Sequence, residues 1–273
     1  MTLQNKIDFA VILRVKNANP NGDPLNGNRP RTDYSGFGEI SDVAIKRKIR
    51  DRLLENGKAI FVQSDDRKND DATSLKDRAD KTLGKKLLSG DAAKLACETW
   101  FDVRAFGQLF AYAAEGKKKG EGISIAIRGP VSIHPAFSVE PVSVTSTQIT
   151  KSVSGEGDGT KRASDTMGMK HRVDKGIYVF KGSMNPQLAE RTGFSDVDAA
   201  VLKDVLPKLF ENDASSARPE GSMEVLNVFW WQHNSKGGQY SSAKVHQTLN
   251  VNPDGTFELA GLDGLQAEIL DGF

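Results

Sequence analysis

The chain has 273 residues, 38% of them apolar, and its 37 Lys and Arg against 36 Asp and Glu leave a net charge of +1. That composition suits a globular protein with a sizeable core, and the longest apolar run, Phe9 to Leu13, is too short for a membrane span or a signal peptide. A single cysteine, Cys97, excludes an internal disulfide and a cysteine-based zinc cage, so the cytoplasm is the expected compartment.

Ile7 to Val15 alternates, with Phe9, Val11, Leu13 and Val15 on one face, and predicts a strand. It runs into 17-NANPNGDPLNGNRPR-31, a stretch of Asn, Gly and Pro, and a second polar stretch over 32–39. Ser41 caps a predicted helix that ends at Asn56 and Gly57. Residues 64–81 read as a solvated insertion, loop or exposed helix. Asp91 to Ala114 reads as a second helix, and Lys117 to Gly122 as a turn. Ile123, Ile125 and Ile127 alternate in a strand, and 131–144 continues extended. Residues 146–176 are long, Gly-rich and basic, and a loop of that length inside a compact domain is functional or disordered. Ile177 to Phe180 returns to strand, Asp196 to Glu211 reads as helix despite Pro207, and 223–233 as a last core strand. Without insertions the order is close to βαββαβ, the ferredoxin-like arrangement of RNA-recognition modules.

Charge is segregated along this order. Arg29 to Arg52 holds seven bases against four acids, Lys161 to Lys175 five against two, and Val251 to the end five acids and no base. Segregation can build a basic surface on a nearly neutral protein. The acidic end reads as a solvated tail, or as a partner for a neighbour's basic face.

Catalytic and metal chemistry find little support. Asn17, Asn19, Asn21 and Gly22 fall at calcium-loop positions, but the twelfth residue, where a bidentate Glu is needed, is Asn28. There is no P-loop, no nucleophile elbow and no paired-histidine metal motif. Asp23 and Asp33 could hold a metal for phosphodiester cleavage, although turn chemistry explains them as well. The helix after the loop is more specific. Ile45, Ile49 and Leu53 form its apolar stripe, with Lys46 and Arg50 stacked beside it, Arg47 at the edge, and Lys48 and Asp51 pointing away. Stacked cations beside apolar residues reach a phosphate backbone or pair with internal acids such as Asp42 and Asp102. Lys161, Arg162, Lys170, Arg172 and Lys175, with His171, form a second basic element. Met167 and Met169 stand in it as flexible apolar groups able to wedge between bases.

Together, 20-PNGDP-24, 42-DVAIKRKIRDRL-53, 100-WFDVRAFG-107, 128-RGPVSIHPAFSVEPV-142, 166-TMGMKHRVDKGIYVFKG-182 and 216-SARPEG-221 resemble the crRNA-binding backbone subunit of type I-C CRISPR Cascade. This is the Cas-seven family of the RAMP superfamily. The resemblance implies an α+β fold in one domain over 1–273. It would have a modified RRM-like palm, a helical insertion near 58–98, and a long β-hairpin thumb within 146–176. It also implies copies that polymerise head to tail on a crRNA, each thumb displacing one nucleotide, beside other Cascade subunits, with the guide free to pair with target DNA. Lys46, Arg47 and Arg50 would contact guide phosphates with Arg29 and Arg31 beside them, and Arg104 and Arg128 are further candidates. Met167 or Met169 would sit near the displaced base. No catalysis, cofactor or metal is expected. The competing expectations are a type III-like metal-dependent endoribonuclease using Asp23 or Asp33, and a standalone single-strand RNA-binding module.

Overall fold

The computed structural model describes residues 1–112, 123–150 and 167–273. In chain order it begins with β1 (Ile7–Ala18), β2 (Gly22–Asp23), β3 (Arg29–Pro30), β4 (Phe37–Ile40) and α1 (Asp42–Glu55). There follow α2 (Leu75–Leu83), α3 (Ala92–Thr99), α4 (Phe101–Phe106), β5 (Gly107–Tyr112), β6 (Ile123–Arg128), β7 (Val131–Ile133), β8 (Ala136–Pro141) and β9 (Val144–Thr150). The last part holds β10 (Met167–Met184), α5 (Pro186–Thr192), α6 (Asp196–Val205), β11 (Met223–Gln232), α7 (Ser242–His246), β12 (Leu249–Val251), β13 (Phe257–Leu259) and β14 (Ala267–Asp271).

The centre is an antiparallel sheet in the order β14-β11-β1-β10-β8-β4, with β7 and β9 also paired to β10. β1 is buried on both faces, which is why Ala10 and Ile12 are as inaccessible as Val11 and Val15. On one face Phe9, Val11, Leu13 and Val15 pack against Ile45, Ile49 and Leu53 of α1 and Ala199 and Leu202 of α6. On the other, Ala10, Ile12, Ile177 and Trp231 lie under α7 and the β12–β13 hairpin through Val245 and Leu249. Asp8, fully buried on β1, accepts from His233 Nε2 at 2.9 Å, and His233 Nδ1 accepts the Gln239 N–H. A third cluster, including Phe61, Leu83, Cys97, Trp100 and Phe110, gives the segment around α2 and α3 its own core. Burial there pushes the Cys97 thiol up to about 11, which leaves it unreactive.

Several elements differ from the sequence reading. The helix predicted over 91–114 breaks at Trp100, whose backbone is extended, and ends at Gly107, whose φ of +83° redirects the chain into β5. The helix predicted to Glu211 stops at Val205 and tightens into a single 3-10 turn around Pro207, which lacks the N–H to continue. The acidic end is no free tail. Its β14 pairs with β11, and Glu268 meets Lys203 at 2.5 Å. The polar 64–81 segment is partly internal, because buried Arg78 holds Asp70 by two bonds and donates to the Phe61 carbonyl. The base of the 146–176 excursion is a hairpin arm, Val144–Thr150 against Met167–Val173. Its remainder, with Lys161 and Arg162, and the turn at 117–122 lie outside the described residues. Among the described residues no helix is long and apolar enough to cross a membrane.

Candidate nucleic-acid interface

The Asn-rich stretch folds into a tight hairpin, with Gly22–Asp23 paired to Arg29–Pro30. Asn17, Gly27 and Asn28 adopt the left-handed conformation that Asn and Gly accept most readily. Three asparagine contacts then fix the hairpin. The Asn19 side chain donates to the Asn28 carbonyl at 2.7 Å, and the Asn19 N–H donates to the Ala217 carbonyl at 2.9 Å. Asn21 Oδ1 accepts from both the N–H and the hydroxyl of Ser41, the N-cap of α1. One short stretch is thereby tied to α1 and to the loop before β11.

Where this hairpin meets the arm there is a cleft of about 230 Å³. Asn19 and Asn28 form one wall, Met169, Lys170 and His171 another, and Ser216 and Ala217 the third. Arg29 on β3, which packs against β10, and Lys170 are exposed and make no ion pair among the described residues. Arg172 lies 3.7 Å from Asp174 in an exposed pair, and Arg31 3.6 Å from Asp23 in a half-buried one, both long contacts of little strength. Met167 and Met169 are 63% and 54% exposed on the arm. His171 is buried with Nδ1 2.8 Å from the Ser146 hydroxyl, so it braces the arm. Asn19, Asn28, Ser216 and Ala217 were not singled out as site residues by the sequence, although the quoted 216-SARPEG-221 block contains the last two.

The α1 cations are placed differently from their reading. Lys46 bonds Asp42 at 2.9 Å and Arg47 meets Asp66 at 3.0 Å. Arg50, largely buried, donates to Asp102 at 2.9 Å and stacks on Phe106. The internal pairing that the sequence left open for Lys46 and Arg50 is the one observed. Lys48 and Asp51 do not point away into solvent. They are buried because the 212–222 loop and the segment around Arg67 pack over that face: Lys48 pairs with Asp213, which Arg218 also meets at 3.1 Å, while Arg67 approaches Asp51. Burial holds the Lys48 ammonium below its usual range despite Asp213, and pushes the Asp51 carboxyl up despite Arg67 and Arg47. Arg128 at the end of β6 is exposed and makes no ion pair among the described residues.

Arg104 is also engaged internally, bonding both oxygens of Asp198 at 3.2 and 2.8 Å while stacking on Phe101. Burial alone would raise the Asp198 carboxyl, but Arg104 and the Ser195 N–H and hydroxyl outweigh it and hold it below 3.8. A carboxyl held low in the folded state stabilises fully above its unfolded value and loses that contribution as pH falls through the folded one. Arg104→Ala is therefore expected to lower the melting temperature at neutral pH, with the deficit shrinking as pH drops below 3.8. A deficit independent of pH over that range, in thermal denaturation, would mean that Arg104 acts through packing alone. Asp23 and Asp33 serve turns: Asp23 accepts the Leu25 N–H, and Asp33 accepts the Ser35 and Phe37 N–H groups at 2.8 and 2.9 Å.

A family model for CRISPR-associated protein Cas7 matches residues 5–263. The chain belongs to the Cas7 family. It is 26% identical to the CRISPR-associated protein Cas7 of Haloferax volcanii, over 99% of this chain and 82% of that one. A chain of a CRISPR RNA-guided surveillance complex in a pre-nicking state has a similar fold, with a TM-score of 0.50 at 15% identity over 83% of this chain and 75% of that one. A chain of another CRISPR RNA-guided surveillance complex aligns at a TM-score of 0.45 and 16% identity, over 95% and 77%. The Cas7 match spans the hairpin, α1, the arm base and the 216–217 loop, so the whole cleft lies inside the family region.

Proposed function

We infer that this Cas7-family chain is the non-catalytic crRNA-binding backbone subunit of a type I-C surveillance complex. Copies stack head to tail along the guide, beside other Cascade subunits, and leave guide segments free to pair with target DNA in antiviral defence. The observation that carries this reading is the cleft itself. Hairpin, arm and loop converge there, with Lys170 in its wall, Arg29 next in the chain to the wall residue Asn28, neither ion-paired among the described residues, and exposed methionines along the arm. Cations without carboxylate partners suit a phosphate backbone, and guide–target pairing supplies the sequence specificity the protein need not have.

The strand order supports an RRM-like palm. α1 leads from β1 to β8 with β10 between them, and α6 leads from β10 to β11 with β1 between them, each a split βαβ crossover. In this reading Arg29, Arg31, Lys170 and Arg172 contact the guide at the arm, with Lys46, Arg47 and Arg128 completing the track. Lys161 and Arg162 extend it into the thumb, and Met167 or Met169 wedges at the displaced base. Arg50 and Arg104, held by Asp102 and Asp198, position α1 and α4 rather than grip phosphate. The region around 58–98, with its separate core, is the helical insertion.

Because Asp23 and Asp33 are engaged in turns, complementary RNA incubated with the guide-loaded chain and Mg²⁺ is expected to remain intact. Regularly spaced cuts that disappear in Asp23→Ala or Asp33→Ala would make the subunit a nuclease instead.

A further inference from the structure

The far face of the sheet is covered unevenly. Where α7 and the β12–β13 hairpin stop short of β8, two clefts of about 480 and 280 Å³ lie end to end along β10. Successive β10 residues of this face, Lys175, Ile177, Val179 and Lys181, form the floor. β8 forms one side, and residues 249–254 form the other. At about 3.4 Å per residue, the floor from Lys175 to Lys181 runs for roughly 20 Å.

Three features of this trough are costly for a structure that binds nothing there. Lys16 and Lys175 are directly opposite in the β1–β10 register, both exposed and neither ion-paired among the described residues. Like charges so placed destabilise a strand pair. Lys181 is half-buried at the other end, where burial alone lowers its ammonium below the usual range; it donates to the His246 carbonyl but meets no carboxylate among the described residues. Between these ends Phe137 on β8, paired with Val179, is 45% exposed. His134 adds an exposed imidazole beside Lys181. Arg14 lines the trough but is bound to Glu224 at 2.8 Å. Two acids also line it, Glu140 and Asp254, and the Thr256 hydroxyl and N–H that bond Asp254 hold its carboxyl below the usual range, so both are opposing charges; neither is ion-paired to the three lysines among the described residues.

We propose that this trough is a second nucleic-acid site, which takes a short single strand with its phosphates at Lys16, Lys175 and Lys181 and a base on the Phe137 ring. Cations that track a backbone beside an exposed aromatic platform are what sequence-tolerant single-strand binding requires. An acidic peptide would satisfy the lysines, but nothing about it would call for an exposed ring between them. Among the described residues the trough shares no lining residue with the cleft at the arm, so the proposal does not rest on the guide-binding reading.

The test uses the full chain assembled on guide RNA, and the free chain in parallel, with a fluorescent 12-nucleotide single-stranded DNA that cannot pair with the guide. Titration by anisotropy is expected to show binding to both forms. Lys175→Glu with Lys181→Met, and separately Phe137→Ala, should each weaken it about ten-fold while guide assembly is unchanged. Photo-crosslinking through 5-iodouracil should mark the peptide that contains Phe137. Failure of the guide reading would appear instead as loss of assembly, with oligonucleotide binding to the free chain intact. No binding to either form, or binding that these variants leave unchanged, would overturn the proposal. So would protection of 134–139 and 175–181 from hydrogen exchange on assembly without any strand bound, because a second copy of the chain would then be the occupant.

Discussion

Replacing Arg29, Lys170 and Arg172 together by alanine is expected to weaken guide RNA binding by about two orders of magnitude near physiological salt, and to reduce the salt slope by roughly two. All three side chains are exposed, and among the described residues the only ion pair they make is the long one from Arg172 to Asp174. Their removal therefore costs the fold little. Each cation that neutralises a single-strand phosphate releases about 0.7 of a counterion, so three lost contacts lower the slope by roughly two. The loss should be similar for unrelated guide sequences, since backbone contacts carry no sequence information. Arg50→Ala and Arg104→Ala are expected to behave in the opposite way, lowering the melting temperature while leaving the salt slope nearly intact. Equal salt slopes for wild type and the triple variant, by filter binding across a salt series, would remove the arm and hairpin from the guide track.

Asp102→Ala is the variant with the largest expected effect on stability, a loss of about 3–5 kcal/mol. This carboxylate is 1% exposed and accepts three bonds: from the Phe61 N–H at 2.7 Å, the Val62 N–H at 3.1 Å and Arg50 at 2.9 Å. It thus joins α4, the loop after α1, and α1 itself. Truncation leaves one buried amide, one part-buried amide and a largely buried guanidinium without their acceptor, and an unpaired buried charge is costlier than the pair it came from. For a chain of this size, that corresponds to roughly 10 °C in melting temperature. Asp102→Asn should recover only part of the loss, because its amide nitrogen presents a donor to a donor. Denaturant unfolding would give the number, and a midpoint within the error of wild type would show that the three donors find other partners.

The first strand and α1 were legible because their signals are local. The alternation from Ile7 and the Ser41 cap fix β1 and the start of α1 wherever the rest of the chain lies. The hairpin arm was legible as a long basic excursion, although its paired base emerges only from the register of Met167–Val173 with Val144–Thr150. What was not legible depends on contacts distant in sequence. A helical wheel places Lys48 and Asp51 outward because it cannot contain Asp213 or Arg67, whose chains cover that face. The acidic C-terminal stretch looked like solvated chain because its charge conceals Ala267, Ile269 and Leu270, too few and too irregularly spaced to announce the strand that joins β11. The cleft was hidden for the same reason. Asn19 and Ala217 meet through a backbone bond that no spacing in the sequence announces, and the Asn residues that turn the hairpin also wall the site.

The central claim is that copies of this chain assemble along a guide, and stoichiometry against guide length tests it most directly. Native mass spectrometry of the full chain on guide RNAs of increasing length should show the number of bound copies rising in equal steps, each step set by a fixed number of nucleotides. The triple variant at Arg29, Lys170 and Arg172 should lose the longer assemblies first, as their avidity rests on repeated weak contacts. One chain per RNA at every length would contradict the account and leave a standalone single-strand binding module.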